Sequence, residues 1–204
     1  MTDEIWDSLL PVAYKALSPY QWTPIEITRF TWEYLKTESV SSVMDLGSGV
    51  GKFCLNLVQY ANGSFPVYGV EDRKELVELS LELKQKMGLT GVQFTNSDFL
   101  VNFPFGHSHY YVFNPLYEMM KGEHSIDFKK EKSAMVFIKN LQIFKNHLNQ
   151  CKKGTKVITY HGFGGTALPG YKKNFKKGMG NRRVDGMGKR IVHFPKSITS
   201  KILN

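Results

Sequence analysis

"VMDLGSGVGKF", residues 43–53, decides the fold. An apolar run stops at Asp45, and Gly47, Gly49 and Gly51 follow almost at once. Residues 52–61, "KFCLNLVQYA", then resume apolar residues at helical spacing. The pattern predicts a buried strand, a sharp turn and a helix. An ordinary turn needs one or two glycines; three, behind a carboxylate, let the backbone approach something held against it.

A helix over residues 23–36 is predicted to precede this strand, with Thr23 as N-cap and Pro24 at the first helical position. A second strand is predicted over 66–71, an amphipathic helix over 73–88 closing at Gly88, and a third strand over 92–99. "HYYVFN" (109–114) is a fourth strand, 132–154 a long helix, 156–161 a fifth strand and 191–195 a last one. Helix is least clear between strands three and four, where Pro104 and Gly106 interrupt the run. This alternation, with strands too apolar to have a wet face, predicts a parallel sheet covered by helices on both sides, a doubly wound, Rossmann-like α/β fold. In such sheets ligands sit beyond the carboxyl ends of the strands where the strand order reverses, and the glycine loop lies there. The N–H groups of the helix that follows would face a carboxylate or phosphate.

At 204 residues the chain is expected to be one domain: a helical lead-in (1–38), a cofactor-binding core (39–165), then a basic loop with the last strands (166–204). No apolar run reaches membrane-spanning length, and "MTDEIWDSLL" is acidic where a secretory signal is basic. Cys54 and Cys151 lie far apart in helical segments, which suits reduced core thiols and a cytoplasmic setting. His107 and His109 alternate at a strand entry with no neighbouring acid or thiol to complete a metal set, and His161 at a strand end is read as hydrogen-bonded, so no metal is expected.

The dinucleotide fingerprint requires glycines at the first, third and sixth places, and counting from Gly47 the sixth is Lys52. This disfavours a nicotinamide oxidoreductase. What remains resembles motif I of the class I S-adenosylmethionine-dependent methyltransferases, with Asp45, Gly47, Gly49 and Gly51 in place and Ser48 inside the loop. The resemblance implies a mostly parallel seven-stranded sheet with an antiparallel C-terminal strand pair. It implies S-adenosylmethionine as cofactor, Glu71 accepting from the ribose hydroxyls, and Asp98 and Phe99 at the adenine. "NPLY" resembles the Asn-Pro-Pro-Tyr type motif of amino-group methyltransferases, with Asn114 and Tyr117 in catalytic roles and Pro115 stiffening the turn; Leu116 replaces the second proline. An Asx-type turn leaving the strand is the structural alternative for Asn114. "YQWTP" is similar to the Tyr-x-x-Thr-Pro lead-in of small methyltransferases, which places Tyr20 and Thr23 near the methionine end of the cofactor. Together these look like the protein-lysine and histone-lysine types. The implied function is methyl transfer to a nitrogen, a protein amino group ahead of nucleic acid, with a non-catalytic S-adenosylmethionine-binding module as the alternative.

Residues 151–204 carry 13 Lys and Arg against one acid, Asp185. Such clustering implies an anionic or protein partner, nucleic acid included, and no membrane. Tyr171 and Phe175 would stack on bases, and Lys172, Lys173, Lys176, Lys177, Arg182 and Arg183 would meet phosphates.

Overall fold

The computed structural model describes residues 1–114, 116, 119, 125–126, 133–160, 168, 170–174 and 189–194, the side chains of 173, 174 and 189–194 excepted. Helices α1 (Asp3–Asp7), α2 (Val12–Gln21) and α3 (Ile25–Leu35) lead into β1 (Val43–Leu46), α4 (Lys52–Ala61), β2 (Val67–Glu71), α5 (Lys74–Lys86) and β3 (Val92–Asn96). Then come β4 (His109–Phe113), α6 (Ala134–Gln150), β5 (Lys156–Tyr160), β6 (Tyr171–Asn174) and β7 (Lys189–Phe194). The strands form one sheet in the order β3-β2-β1-β4-β5-β7-β6.

Side-chain alternation divides the core into two layers. Val43, Val67, Val92, Tyr111 and Ile158 face one side and pack with α3, α4 and α5. Met44, Leu46, Val70, Tyr110, Val112 and Val157 face the other, under Leu141, Phe144 and Leu148 of α6. Helices therefore cover both faces, as the alternating sequence predicts. Between α4 and β4, Phe53 stacks on Tyr111 with ring centroids 3.6 Å apart, a contact that contributes about 0.5–1.5 kcal/mol beyond its buried area.

Five expectations are corrected. The C-terminal strands are not antiparallel: β7 runs parallel to β5, in the register Lys156↔Arg190, and β6 runs parallel to β7. A short hairpin would force reversal, whereas the connection from Asn174 to Lys189 is long enough for the crossover that a parallel pair needs. Nor is every strand dry, because β3 has one neighbour and exposes Gln93, Thr95 and Asn96. Residues 171–174, read as loop, form an edge strand. Tyr171 is no stacking platform, since its hydroxyl donates to the Leu148 carbonyl at 2.8 Å and its ring packs with the α6 layer. Finally, α3 starts at Ile25 with Pro24 as its cap residue, and the Thr23 hydroxyl pairs instead with that of Tyr111 at 3.2 Å.

Both cysteines are free and buried. At the amino ends of β1 and β4, His107 Nδ1 meets Ser42 Oγ at 3.0 Å and His109 Nδ1 meets Ser108 Oγ at 2.9 Å. Burial, then the Lys156 charge, pushes His109 down to about 4, which suits a neutral structural histidine. Among the described residues no cluster of three or more His, Cys, Asp or Glu could hold a metal ion, and no helix is long and apolar enough to cross a membrane.

Candidate ligand-binding crevice

The carboxyl ends of β1 and β2, the turn after β3 and the exit of β4 converge on one crevice, lined by Gly47, Gly49, Glu71, Asp98, Phe99 and Asn114 among others. The glycine loop is fixed from below. Gly47 and Ser48 donate their N–H groups to the Val70 carbonyl at 2.9 and 3.0 Å, and Gly51 donates to Ser48 O at 2.9 Å. Gly49 N–H goes to Glu71 Oε2 at 3.0 Å. These four donors are thus engaged by the protein and are not an open anion cradle.

All three glycines have positive φ, but their need for glycine differs. A Cβ on Gly49 would lie 2.6 Å from the Trp22 ring, and one on Gly51 would lie 2.8 Å from Phe94 and 2.9 Å from Ser80 Oγ. A Cβ on Gly47 would meet only Phe99, at 3.9 Å. Two of the three therefore make room for the protein's own side chains. The sequence reading assigned that room to a ligand.

Glu71 is buried, and its Oε1 accepts from the backbone N–H of Arg73 at 3.0 Å and from its guanidinium at 3.3 Å. Burial, with a hydrogen bond to Asp72, pushes its carboxyl up to about 7, while the Arg73 contacts pull the other way. A carboxylate has about four acceptor positions, and with three of them taken by Gly49 and Arg73, Glu71 keeps one, on Oε2, for a hydroxyl. Asp98 Oδ1 accepts from Leu100 N–H at 2.8 Å, which fixes the turn after β3, and Phe99 meets Phe144 edge-on at 5.5 Å.

Asn114 adopts φ 43° and Leu116 φ 71°. Asparagine tolerates the left-handed region; for leucine it costs about 1–3 kcal/mol. A proline, locked near φ −65°, could not occupy position 116, which accounts for the departure from the Pro-Pro pattern. Pro115 and Tyr117 lie outside the described residues, as do His161, Phe175, Lys176, Lys177, Arg182, Arg183 and Asp185.

A smaller recess adjoins the loop, lined by Thr23, Asp45, Ser48 and Lys52, with Gln21, Trp22 and Phe113 shared between it and the crevice. The Ser48 hydroxyl is buried there without a hydrogen-bond partner. Asp45 is also buried, its Oδ2 accepting weakly from the Cys54 thiol at 3.5 Å, and burial pushes it up to about 8. At neutral pH it is a neutral acid with an O–H to donate. Tyr20, by contrast, is 44% exposed, and Gln21 and Trp22 supply the wall instead. Sequence reasoning missed Trp22 and Arg73 as wall residues. Arg73 had a signal, a cation directly after two acids at a strand end.

A family model described as a methyltransferase domain matches residues 37–110. Over this stretch the chain is similar to a methyltransferase domain. The match takes in the glycine loop, Glu71, Asp98 and Phe99 and stops just short of Asn114. No curated protein matches the chain in sequence. Among solved structures, the mitomycin 7-O-methyltransferase MmcR is similar at 15% identity and TM-score 0.46, over 64% of this chain and 35% of its own. Coclaurine N-methyltransferase, bound to N-methylheliamine and SAH, matches at 20% and TM-score 0.44, over 63% and 33%. A SAM-dependent O-methyltransferase from Thermotoga maritima matches at 20% and TM-score 0.42, over 53% and 43%. The chain thus spans less than half the length of each. These likenesses are remote and carry no further argument.

Proposed function

We propose that the chain is a single-domain methyltransferase that uses S-adenosylmethionine and transfers its methyl group to a nitrogen, a protein amino group such as that of lysine. The observation that supports the cofactor is the unpartnered, buried Ser48 hydroxyl beside neutral Asp45, in a recess continuous in its lining with a crevice that carries a buried carboxylate, Glu71. Polar groups this deep require partners. An amino-acid end and a ribose of one ligand would supply them.

S-adenosylmethionine brings an electrophilic methyl on a sulfonium. The protein's task is then positioning and the exclusion of water. Glu71 would accept from a ribose hydroxyl, Asp98 and Phe99 would hold the adenine, and Thr23, Asp45 and Ser48 would hold the methionine end. Trp22 and Phe113 keep that end dry. The Asn114 side-chain oxygen, at the exit of β4, would accept a hydrogen bond from the target amine and aim its lone pair, with Pro115 and Tyr117 beside it. The exposed Lys172 and the excess of basic residues after position 150 favour an acidic protein surface, and keep an amino group of RNA or DNA as a second reading.

The test begins with calorimetry. The parent should bind S-adenosylmethionine, and Glu71→Ala should weaken binding roughly 10- to 100-fold, the loss of about 1–3 kcal/mol of hydrogen bonding. No binding by the parent would end the reading. Transfer of radiolabelled methyl to protein, RNA and small-molecule fractions of an extract identifies the acceptor class. With that acceptor, Asn114→Ala should keep cofactor affinity and lower turnover by roughly 10- to 100-fold; unchanged turnover would leave Asn114 a turn residue. Neutralising Lys172, Lys173, Lys176 and Lys177 should flatten the salt dependence of nucleic-acid binding. Equal transfer with and without them at near-physiological salt would remove the tail from substrate recruitment.

A further inference from the structure

We infer that Lys52 is a positioning residue for the crevice: its buried ammonium latches the N-terminal helices and so holds Gln21 and Trp22 in place as the wall. This rests on the functional reading above.

Lys52 opens α4 yet is only 2% exposed. A cation is poorly placed at a helix N-terminus, and a buried ion pair is commonly no better for stability than a well-packed apolar group. What it gives is orientation. Its Nζ lies 2.7 Å from Asp3 Oδ1 and 2.8 Å from Asp7 Oδ1, and 5.3 Å from the centre of the Trp6 ring. Asp3 and Asp7, four residues apart, share one face of α1.

The latch reaches both flanks of the wall. Lys52 Nζ donates to Ser18 Oγ at 3.2 Å, and the Ser18 carbonyl accepts the Trp22 backbone N–H at 3.3 Å. On the other flank, Asp3 Oδ1 also accepts the N–H of Ile25 at 3.0 Å. The indole N–H of Trp22 donates to Tyr14 O at 2.9 Å, so its ring is fixed to α2 as it lies over Gly49. One ammonium thereby ties α1, α2 and the start of α3 to the first residue after the glycine loop. Whatever binds against Trp22 should tighten this arrangement, and by linkage the arrangement should tighten binding.

Trypsin provides a readout that a purely structural role would not move together with affinity, because Lys15 is an exposed site within α2. In the full-length parent, S-adenosylmethionine should slow cleavage after Lys15. Lys52→Met should speed that cleavage and weaken S-adenosylmethionine about 10-fold or more, with the far-ultraviolet spectrum of the sheet and helices kept. Asp3→Asn, at a residue 44% exposed, should do both to a smaller degree, about threefold. If Lys52→Met does not fold, Asp3→Asn decides alone. Faster cleavage with unchanged affinity, or cleavage that neither variant alters, would overturn the inference. A parent that does not bind S-adenosylmethionine would defeat the functional reading and the inference with it.

Discussion

Asp45→Asn is expected to stabilise the folded chain at pH 8 by on the order of 5 kcal/mol, and hardly at all near pH 4. Burial raises the Asp45 carboxyl from 3.8 to about 8. Between those values the folded protein holds a proton that the unfolded chain has released, so stability falls as pH rises through the window. Asparagine does not titrate there, and its amide oxygen can still accept from the Cys54 thiol. The gap between variant and parent should therefore open steadily from acid to pH 8 in urea unfolding curves. A constant gap would mean that Asp45 is ionised in the fold and compensated elsewhere. An acid kept at such a cost, when its amide would be more stable, belongs with groups retained for binding.

Gly49→Val is expected to destabilise by about 3–5 kcal/mol, a large part of a domain's total stability. The left-handed backbone, φ 54°, contributes about 1–3 kcal/mol of strain for a residue with a side chain. Overpacking against Trp22 contributes about as much again, since even Cβ would lie 2.6 Å from the ring. The two causes separate in a cycle. With Trp22→Ala in place, the valine should cost about 1–3 kcal/mol less, the overpacking share, and the strain should persist. An identical cost in both backgrounds would show that Trp22 does not set the requirement for glycine.

The central strands and helices were legible because their periodicity and their punctuation agree. Residues 52–61 form α4 with the bounds that apolar spacing predicts, and the glycines before them stop β1 where Asp45 and Leu46 end it. Of the crevice, Gly47, Gly49, Glu71, Asp98, Phe99 and Asn114 line it as their places at strand ends imply. What the sequence hid was tertiary. Nothing local says that Gly49 faces an indole from 27 residues earlier, or that Lys52 is neutralised by acids some fifty residues before it. Parallel or antiparallel pairing of the last strands was equally hidden, because a long connection permits both.

The strand order has a consequence for how the chain is made. β1, the first of these strands to be synthesised, ends up inside the sheet, between β2 and β4. Its pairing with β2 closes over a short stretch, Val43↔Val67, but its other edge waits for His109, 66 residues after Val43. While the chain leaves the ribosome, at about 5–20 residues per second, the glycine-loop strand therefore stands for several seconds with one apolar edge open. An open edge of that kind invites pairing with another nascent copy. A translational delay that falls after β2 has left the ribosome and before β4 has should lengthen that interval and raise the aggregated fraction, whereas the same delay placed once β4 has emerged should not.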